Sequence, residues 1–532
     1  MLKKRAFSLL MVLILMFAVS GARLCYLAAD TGDARAAAGQ SSVRVTLTRP
    51  RGTIYDTNLR PITNAQKIYL ASVAPTTQAV AEITRKLSPE AAAEALERLK
   101  AGKPIVLEVP ADFSAEGAYV FESYAHYSEA QTAPHITGYL NEEGHGVSGV
   151  EQAYDDALFR EETLDVIYTT DAHGRVLTGI EPRIEGYDPG DQSGVALTID
   201  TRVQKIVEDV ARERLDAGAV VVLEPGTGKI RAACSVPDFS PLDLAKSLNA
   251  ANSPLFNRAL SAYNVGSVFK PAVAAAALES GVPDSFSYTC KGSITLRGIT
   301  FHCHEEKGHG ALDLDGGLCQ SCNPYFINLA RRTGADALFD MCLALRFDEA
   351  LRIADEMSTD AGVLPALWKL QEQPAALANL SFGQGELMLT PLHIAAMVNA
   401  IISGGEYRIP RLVEGLVGTD GTLSREQQSS AARVMKKATA DRVREMMIDV
   451  VAKGTGSSAQ PENGGAGGKT ATAETGWVRD GREVNQTWFA GFYPAQQPKY
   501  IIVVLGEDGV SGSLTAAPVF KEIAEKLGEM AQ

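Results

Sequence analysis

Ser267 and Lys270 stand three positions apart at the head of an alanine-rich apolar run, "YNVGSVFKPAVAAAALESG". That spacing is a little under one helical turn, so both side chains fall on one face. A hydroxyl held beside an amine in a partly buried place is a candidate nucleophile and base. The competing reading is an N-capping serine and a solvated lysine, and this motif alone does not separate the two. "SVFK" is the chain's only S-x-x-K. "SCN", with Ser321 and Asn323, begins 54 residues after Ser267, and "KTA", with Lys469, Thr470 and Ala471, comes far downstream. Each is weak singly, since another Ser-x-Asn occurs at Ser247 and Asn249.

The elements that must position these groups read as follows. Residues 43 to about 190 are short strand-like runs and turns, with a helical patch at "SPEAAAEALERLKAG". "YDPGDQSG", residues 187–194, reads as a boundary loop, and "VALTIDTRVQKIVEDVARERL" as a strand, a cap and an amphipathic helix. "AGAVVVLEPGTGKIRAACS" gives two strands joined across "PGTG". Helices dominate from Ser267 to about residue 402, "TWFAGFYPAQQPKYIIVVLGE" is a strand hairpin, and "TAAPVFKEIAEKLGEM" is a closing helix. Strands at both ends with helices between predict one α/β domain whose sheet is built from distant segments.

The 532 residues suggest two or three domains, and an apolar share of 45% with 21% charged residues is that of folded globular protein. With 50 basic against 64 acidic residues, net charge −14, a general nucleic-acid binder is disfavoured. "MLKKR" precedes an uncharged run at residues 6–22, and with Arg23 snorkelling the segment is long enough to cross a bilayer. Lys3, Lys4 and Arg5 place the N-terminus in the cytoplasm and the rest outside. A cleaved signal peptide competes, but the run is long for one, and a retained anchor is the expectation. Of seven cysteines, Cys290 and Cys303 end two strand-like runs and are candidates for a disulfide, with free thiols the alternative. The spacing of "CQSC" and "HCHEEKGHG" fits no standard zinc finger, so no metal is expected. His302, His304 and His309 read as solvated, and Cys322 as a packed thiol. Gly383 and Gly385 read as turn residues.

S-x-x-K, S-x-N and K-T-G in this order form the motif set of penicillin-binding proteins and class A β-lactamases. The chain resembles the class B penicillin-binding proteins over nearly its whole length. "RPRGTIYD", "GVSGVEQAYDDAL", "VVVLEPGTGKIRAACSVPDFSP", "NRALSAYNVGSVFKP", "SFGQGELMLTPLHIA" and "WFAGFYP" follow in that family's order. The resemblance implies an anchor at 1–30, an elongated, mostly β dimerisation or pedestal domain at 43–190, and a transpeptidase domain at 191–532. The last would be an α+β fold of antiparallel sheet and helices, like the serine β-lactamases. Ser267 would be the acylated nucleophile of a peptidoglycan D,D-transpeptidase, Lys270 its base, Ser321 a proton relay and Asn323 a holder of Lys270 and the substrate amide. Lys469, Thr470 and Thr472 would bind the donor's carboxylate, with the backbone N–H groups of Ser267 and Thr472 as oxyanion hole. No cofactor is implied. The implied partners are stem peptides, β-lactams, the membrane and a wall glycosyltransferase, with no nucleic acid. A β-lactamase or drug sensor, and a silent scaffold, are the alternatives. Ala471 departs from the family's glycine, and its methyl is expected to alter acylation by bulky β-lactams.

Overall fold

The computed structural model describes residues 2–29, 42–171, 173–177, 179–186, 191–426, 430–479 and 481–530. The expected boundary loop lies outside them at residues 187–190. Leu2–Ala29 is one helix, whose stretch Phe7–Tyr26 has a mean hydropathy of 2.1 and contains no buried residue. At about 1.5 Å per residue it exceeds the ~30 Å hydrocarbon core of a bilayer.

The chain divides into two compact units. The first comprises Met1–Arg51, Gln66–Ala125 and Arg160–Gly190. In it Gln66–Val73 pairs antiparallel with both Ile105–Glu108 and Ala118–Ala125. Ser42–Thr48, Leu164–Thr169 and Arg183–Glu185 form a second antiparallel sheet. The helical patch is Pro89–Leu99, started by Ser88, whose hydroxyl accepts the Ala91 N–H, and by a proline in the first turn.

The second unit comprises Gly52–Ala65, His126–Phe159 and Asp191–Gln532. Its centre is a five-stranded antiparallel sheet of β1 (Gly218–Leu223), β2 (Ile230–Val236), β3 (Gly467–Arg479), β4 (Arg482–Tyr493) and β5 (Tyr500–Glu507), in the order β2-β1-β5-β4-β3. Successive side chains of a strand point to opposite faces. Val220 and Val222 therefore join the layer of α1 (Thr201–Arg214) and α6 (Ala517–Met530), while Ala219, Val221 and Leu223 join the larger core. That larger core holds α2 (Lys270–Glu279), α3 (Asn323–Thr333), α4 (Pro391–Ile402) and α5 (Lys437–Lys453). The region expected to be helical also carries short hairpins, among them Ser293–Leu296 with Ile299–His302.

One expected boundary is redrawn. Two segments inside residues 43–190 group with the second unit, because Thr53–Tyr55 pairs in parallel with Gly194–Leu197. Ile54, Ile136, Val150 and Leu158 enter the larger core at 1% exposure or less. The Asp56 carboxylate closes its own turn by accepting the Asn58 and Arg60 N–H groups and also accepts the Thr201 hydroxyl. Each of those four side chains contributes about 1.5–3 kcal/mol when buried. Together they match the ~5–15 kcal/mol by which a domain is stable. A fragment beginning at Asp191 is therefore expected to aggregate or unfold without cooperativity. Cooperative melting of that fragment at the temperature of a chain starting at Ser42 would overturn the division.

Candidate active site

Ser267 is held by a short backbone frame. Tyr263–Asn264 pairs with Met388–Leu389, and the Trp488 indole N–H donates to the Asn264 carbonyl at 2.9 Å. The chain then turns at Gly266 (φ +64°), whose N–H donates to the Gly383 carbonyl at 2.8 Å. A Cβ on Gly383 would lie 1.9 Å from the Gly266 oxygen, so glycine is required there by the close approach of two backbones. Residues Gly266–Phe269 form a 3-10 turn and the α-helix proper starts at Lys270. In a 3-10 turn positions i and i+3 eclipse, which aligns Ser267 with Lys270 more closely than the expected α-helical turn would.

Lys270 is wholly buried, as are the alanines behind it in α2. Its Nζ reaches the Ser321 carbonyl at 2.7 Å, the Asn323 Oδ1 at 2.8 Å and the Ser321 Oγ at 3.2 Å. Burial lowers its pKa to about 7, partly offset by the neighbouring Cys322 and Cys303 sulfurs. The amine donates to all three oxygens, and loss of one proton frees a lone pair on Nζ. Ser321 occupies the corner between Leu314–Cys319 and α3 at φ +50°, a conformation uncommon for a residue with a side chain.

The third motif lies on β3, an edge strand of the sheet. Lys469, Ala471 and Ala473 point inward at 0–3% exposure, whereas Thr470 and Thr472 line the cleft. Lys469 thus sits beneath the cleft wall, its Nζ donating to the Thr470 carbonyl at 3.0 Å. Burial first, then the like charge of Lys270, holds its pKa well below the usual lysine range. The Ala471 methyl faces Gly266: a Cβ built on that glycine would stand 3.2 Å from it and 3.3 Å from the Thr472 carbonyl. The methyl therefore packs between the strand and the Ser267 turn, and Ala471 is also among the residues that line the cleft.

Ser267, Ser321, Asn323, Thr470 and Thr472 share one cleft of about 960 Å³. Thr455 also lines it, and the Thr470 hydroxyl lies 3.4 Å from that of Thr455. Thr455 follows α5 in "KGTGSS" and carries no sequence signal of its own. At the far wall, the loop expected to carry solvated histidines does so only in part. His302 and His304 are exposed, but the ligand atoms of His309, Cys290, Cys303 and Cys322 all lie within 4.8 Å of one another. Cys290 and Cys303 are free thiols. The arrangement pairs an activatable hydroxyl with a buried amine of depressed basicity and a hydroxyl relay, which suits acyl transfer.

A family profile for the penicillin binding protein transpeptidase domain matches residues 218–525. The chain is 30% identical over 458 residues to stage V sporulation protein D of Bacillus subtilis, covering 82% of this chain and 68% of that protein. It is 32% identical over 371 residues to peptidoglycan D,D-transpeptidase PbpA of Mycobacterium tuberculosis, covering 64% of this chain and 73% of that one. Among solved structures, the D,D-transpeptidase domain of a peptidoglycan glycosyltransferase from Eggerthella lenta superposes with a TM-score of 0.66 at 24% identity, covering 91% and 99% of the two chains. Penicillin binding protein 3 of Mycobacterium tuberculosis complexed with ampicillin does so at 0.66 and 24%, covering 92% and 96%. At that identity the likeness speaks to the fold.

Gly383 and Gly385 both have positive φ, and a Cβ on Gly385 meets only the Asn379 side chain, at 3.1 Å. Gly383→Ala is expected to destabilise by at least about 3 kcal/mol, well beyond Gly385→Ala, because only the former strikes backbone. Equal melting-temperature losses in the two variants would contradict the frame described for Ser267.

Proposed function

The chain belongs to the penicillin-binding protein transpeptidase family, and from that we propose that it is a membrane-anchored class B peptidoglycan D,D-transpeptidase acylated by β-lactams. The observation that carries the reading is the buried Lys270 amine, bonded at once to the Ser321 and Asn323 motif and aligned with Ser267. The named activity of the PbpA relative supports the substrate class.

In this mechanism the Ser267 Oγ attacks the carbonyl between the two terminal D-alanines of a stem peptide, and its proton passes to the Lys270 lone pair. Negative charge develops on the carbonyl oxygen. The N–H groups of Ser267 and Thr472 stabilise it, an assignment supported by the close packing of the nucleophile turn on β3. The C–N bond breaks as the Ser321 hydroxyl passes the proton to the departing D-alanine amine. An amine from a neighbouring strand then attacks the acyl-enzyme ester, closes the cross-link and frees Ser267. Thr470 and Thr472, whose hydroxyls line the cleft, bind the donor carboxylate. Lys469 assists from below by charge, and meeting a carboxylate favours its protonated form. The N-terminal helix anchors the protein with Lys3, Lys4 and Arg5 in the cytoplasm and the catalytic unit outside, working beside a wall glycosyltransferase.

Labelled penicillin is expected on Ser267 and to vanish in Ser267→Ala, with Lys270→Ala acylating ~10²–10⁴-fold more slowly. Since Lys270 titrates near 7, its lone pair is lost as pH falls through that value. The acylation rate should therefore drop about tenfold per unit below pH 7 and level off above it. A rate still climbing at pH 9 would remove Lys270 as the base. Steady β-lactam turnover would mark a hydrolase, and absence of any label a silent scaffold.

A further inference from the structure

Four side chains brought together beside the cleft have no role in the acyl transfer just described. Cys290 ends the strand Tyr288–Cys290, Cys303 and His309 flank the loop after the hairpin strand Ile299–His302, and Cys322 is the residue preceding α3. Three of the four are buried and His309 is half-buried. The Cys303 and Cys322 sulfurs are 4.0 Å apart, and the His309 Nδ1 is 3.5 Å from the Cys303 sulfur. A tetrahedron built on bonds of about 2.3 Å to sulfur and 2.0–2.1 Å to imidazole nitrogen has sulfur–sulfur edges of ~3.8 Å and sulfur–nitrogen edges of ~3.5 Å. Those two edges already stand near these separations, and all four donor atoms lie within 4.8 Å of one another. We propose that Cys290, Cys303, His309 and Cys322 bind a zinc-type divalent cation in a closed, four-ligand structural site that pins the Ser321–Asn323 corner.

The surroundings fit a thiolate site. The loop is folded tightly on glycines. A Cβ on Gly308 would lie 2.3 Å from the Cys290 carbonyl, and one on Gly292 would lie 1.9 Å from that of Glu306. Three soft sulfurs and one imidazole select zinc over magnesium or calcium, and four protein ligands leave no open position for a reacting water. On binding, the three thiols lose their protons and the cation bonds to three thiolates and a neutral imidazole. The consequence is mechanical. Cys322 lies between Ser321, at positive φ, and Asn323, and both of these touch Lys270. Fixing Cys322 to the 290–309 region keeps the relay hydroxyl and the amide in place.

The test uses the full chain in detergent, isolated under reducing conditions from metal-replete medium. Elemental analysis is expected to find about one zinc per chain. Cobalt(II) exchanged for it should give the intense absorption of a tetrahedral thiolate site. Cys290→Ser and His309→Ala are expected to hold the metal at least about tenfold more weakly. Cys234→Ala, a buried thiol on β2 outside the cluster, should retain it. Stripping the cation from the wild type should lower its melting temperature and leave that of Cys290→Ser unchanged. The proposal is overturned by a metal-free protein, by a disulfide between any two of the three cysteines in fresh material, or by undiminished metal in both variants. Metal content is read independently of acylation, so failure here leaves the transpeptidase reading untouched, and the reverse holds.

Discussion

Hiding a primary amine from water disfavours its charged form, and the second unit is arranged around making that tolerable for Lys270. Its site supplies two carbonyl oxygens and one hydroxyl in place of solvent. The Phe326 ring, 5.3 Å from Nζ, is a further weak attraction when the amine is protonated. A lysine at the surface would remain protonated at neutral pH and have no lone pair to offer. Burial is therefore the device that lowers the basicity of an ordinary lysine, and the alanine-rich α2 allows neighbouring elements to approach closely enough to achieve it.

The same economy of space governs the turn that carries Ser267. Gly266 and Gly383 touch backbone to backbone, and Ala471 and Ala473 press on the turn from β3. At the start of that strand, a Cβ on Gly467 or Gly468 would strike the rings of Phe492 or Phe489. Small residues let strand, turn and helix meet, while the rings fill what remains. Near Ser267 the cleft is thus lined by short hydroxyl and amide groups, and the two buried lysines lie underneath it.

Much of this was legible in the amino-acid order. The runs "AGAVVVLEPGTGKIRAACS" and "TWFAGFYPAQQPKYIIVVLGE" are strands because apolar residues fill both faces of a covered sheet, and the alternation at Lys469–Ala473 placed each side chain on its observed face. Ser267, Lys270, Ser321 and Asn323 could be named from motif order. What could not be read was set by distant pairing. The parallel bridge from Thr53–Tyr55 to Gly194–Leu197 assigns two early segments to the second unit, and no local pattern announces it. Thr455 lacks a motif. The depth of Lys469 depends on what packs behind β3. Cys290, Cys303, His309 and Cys322 follow no finger spacing, because hairpins and a helix start bring them together.

The order of strands in the central sheet also bears on how the protein comes to be folded. β1 lies between β2, its neighbour in sequence, and β5, which begins at Tyr500. The hairpin of β1 and β2 can form early, yet its apolar edge stays open until nearly the whole chain exists. Such long-range closure is slow, and the uncovered edge is a site of aggregation in the meantime. A nascent chain halted before Glu507 has its S-x-x-K and S-x-N segments but lacks the strand that joins the two halves of the sheet. Sheet closure, and with it the cleft, is a late event in the life of the polypeptide.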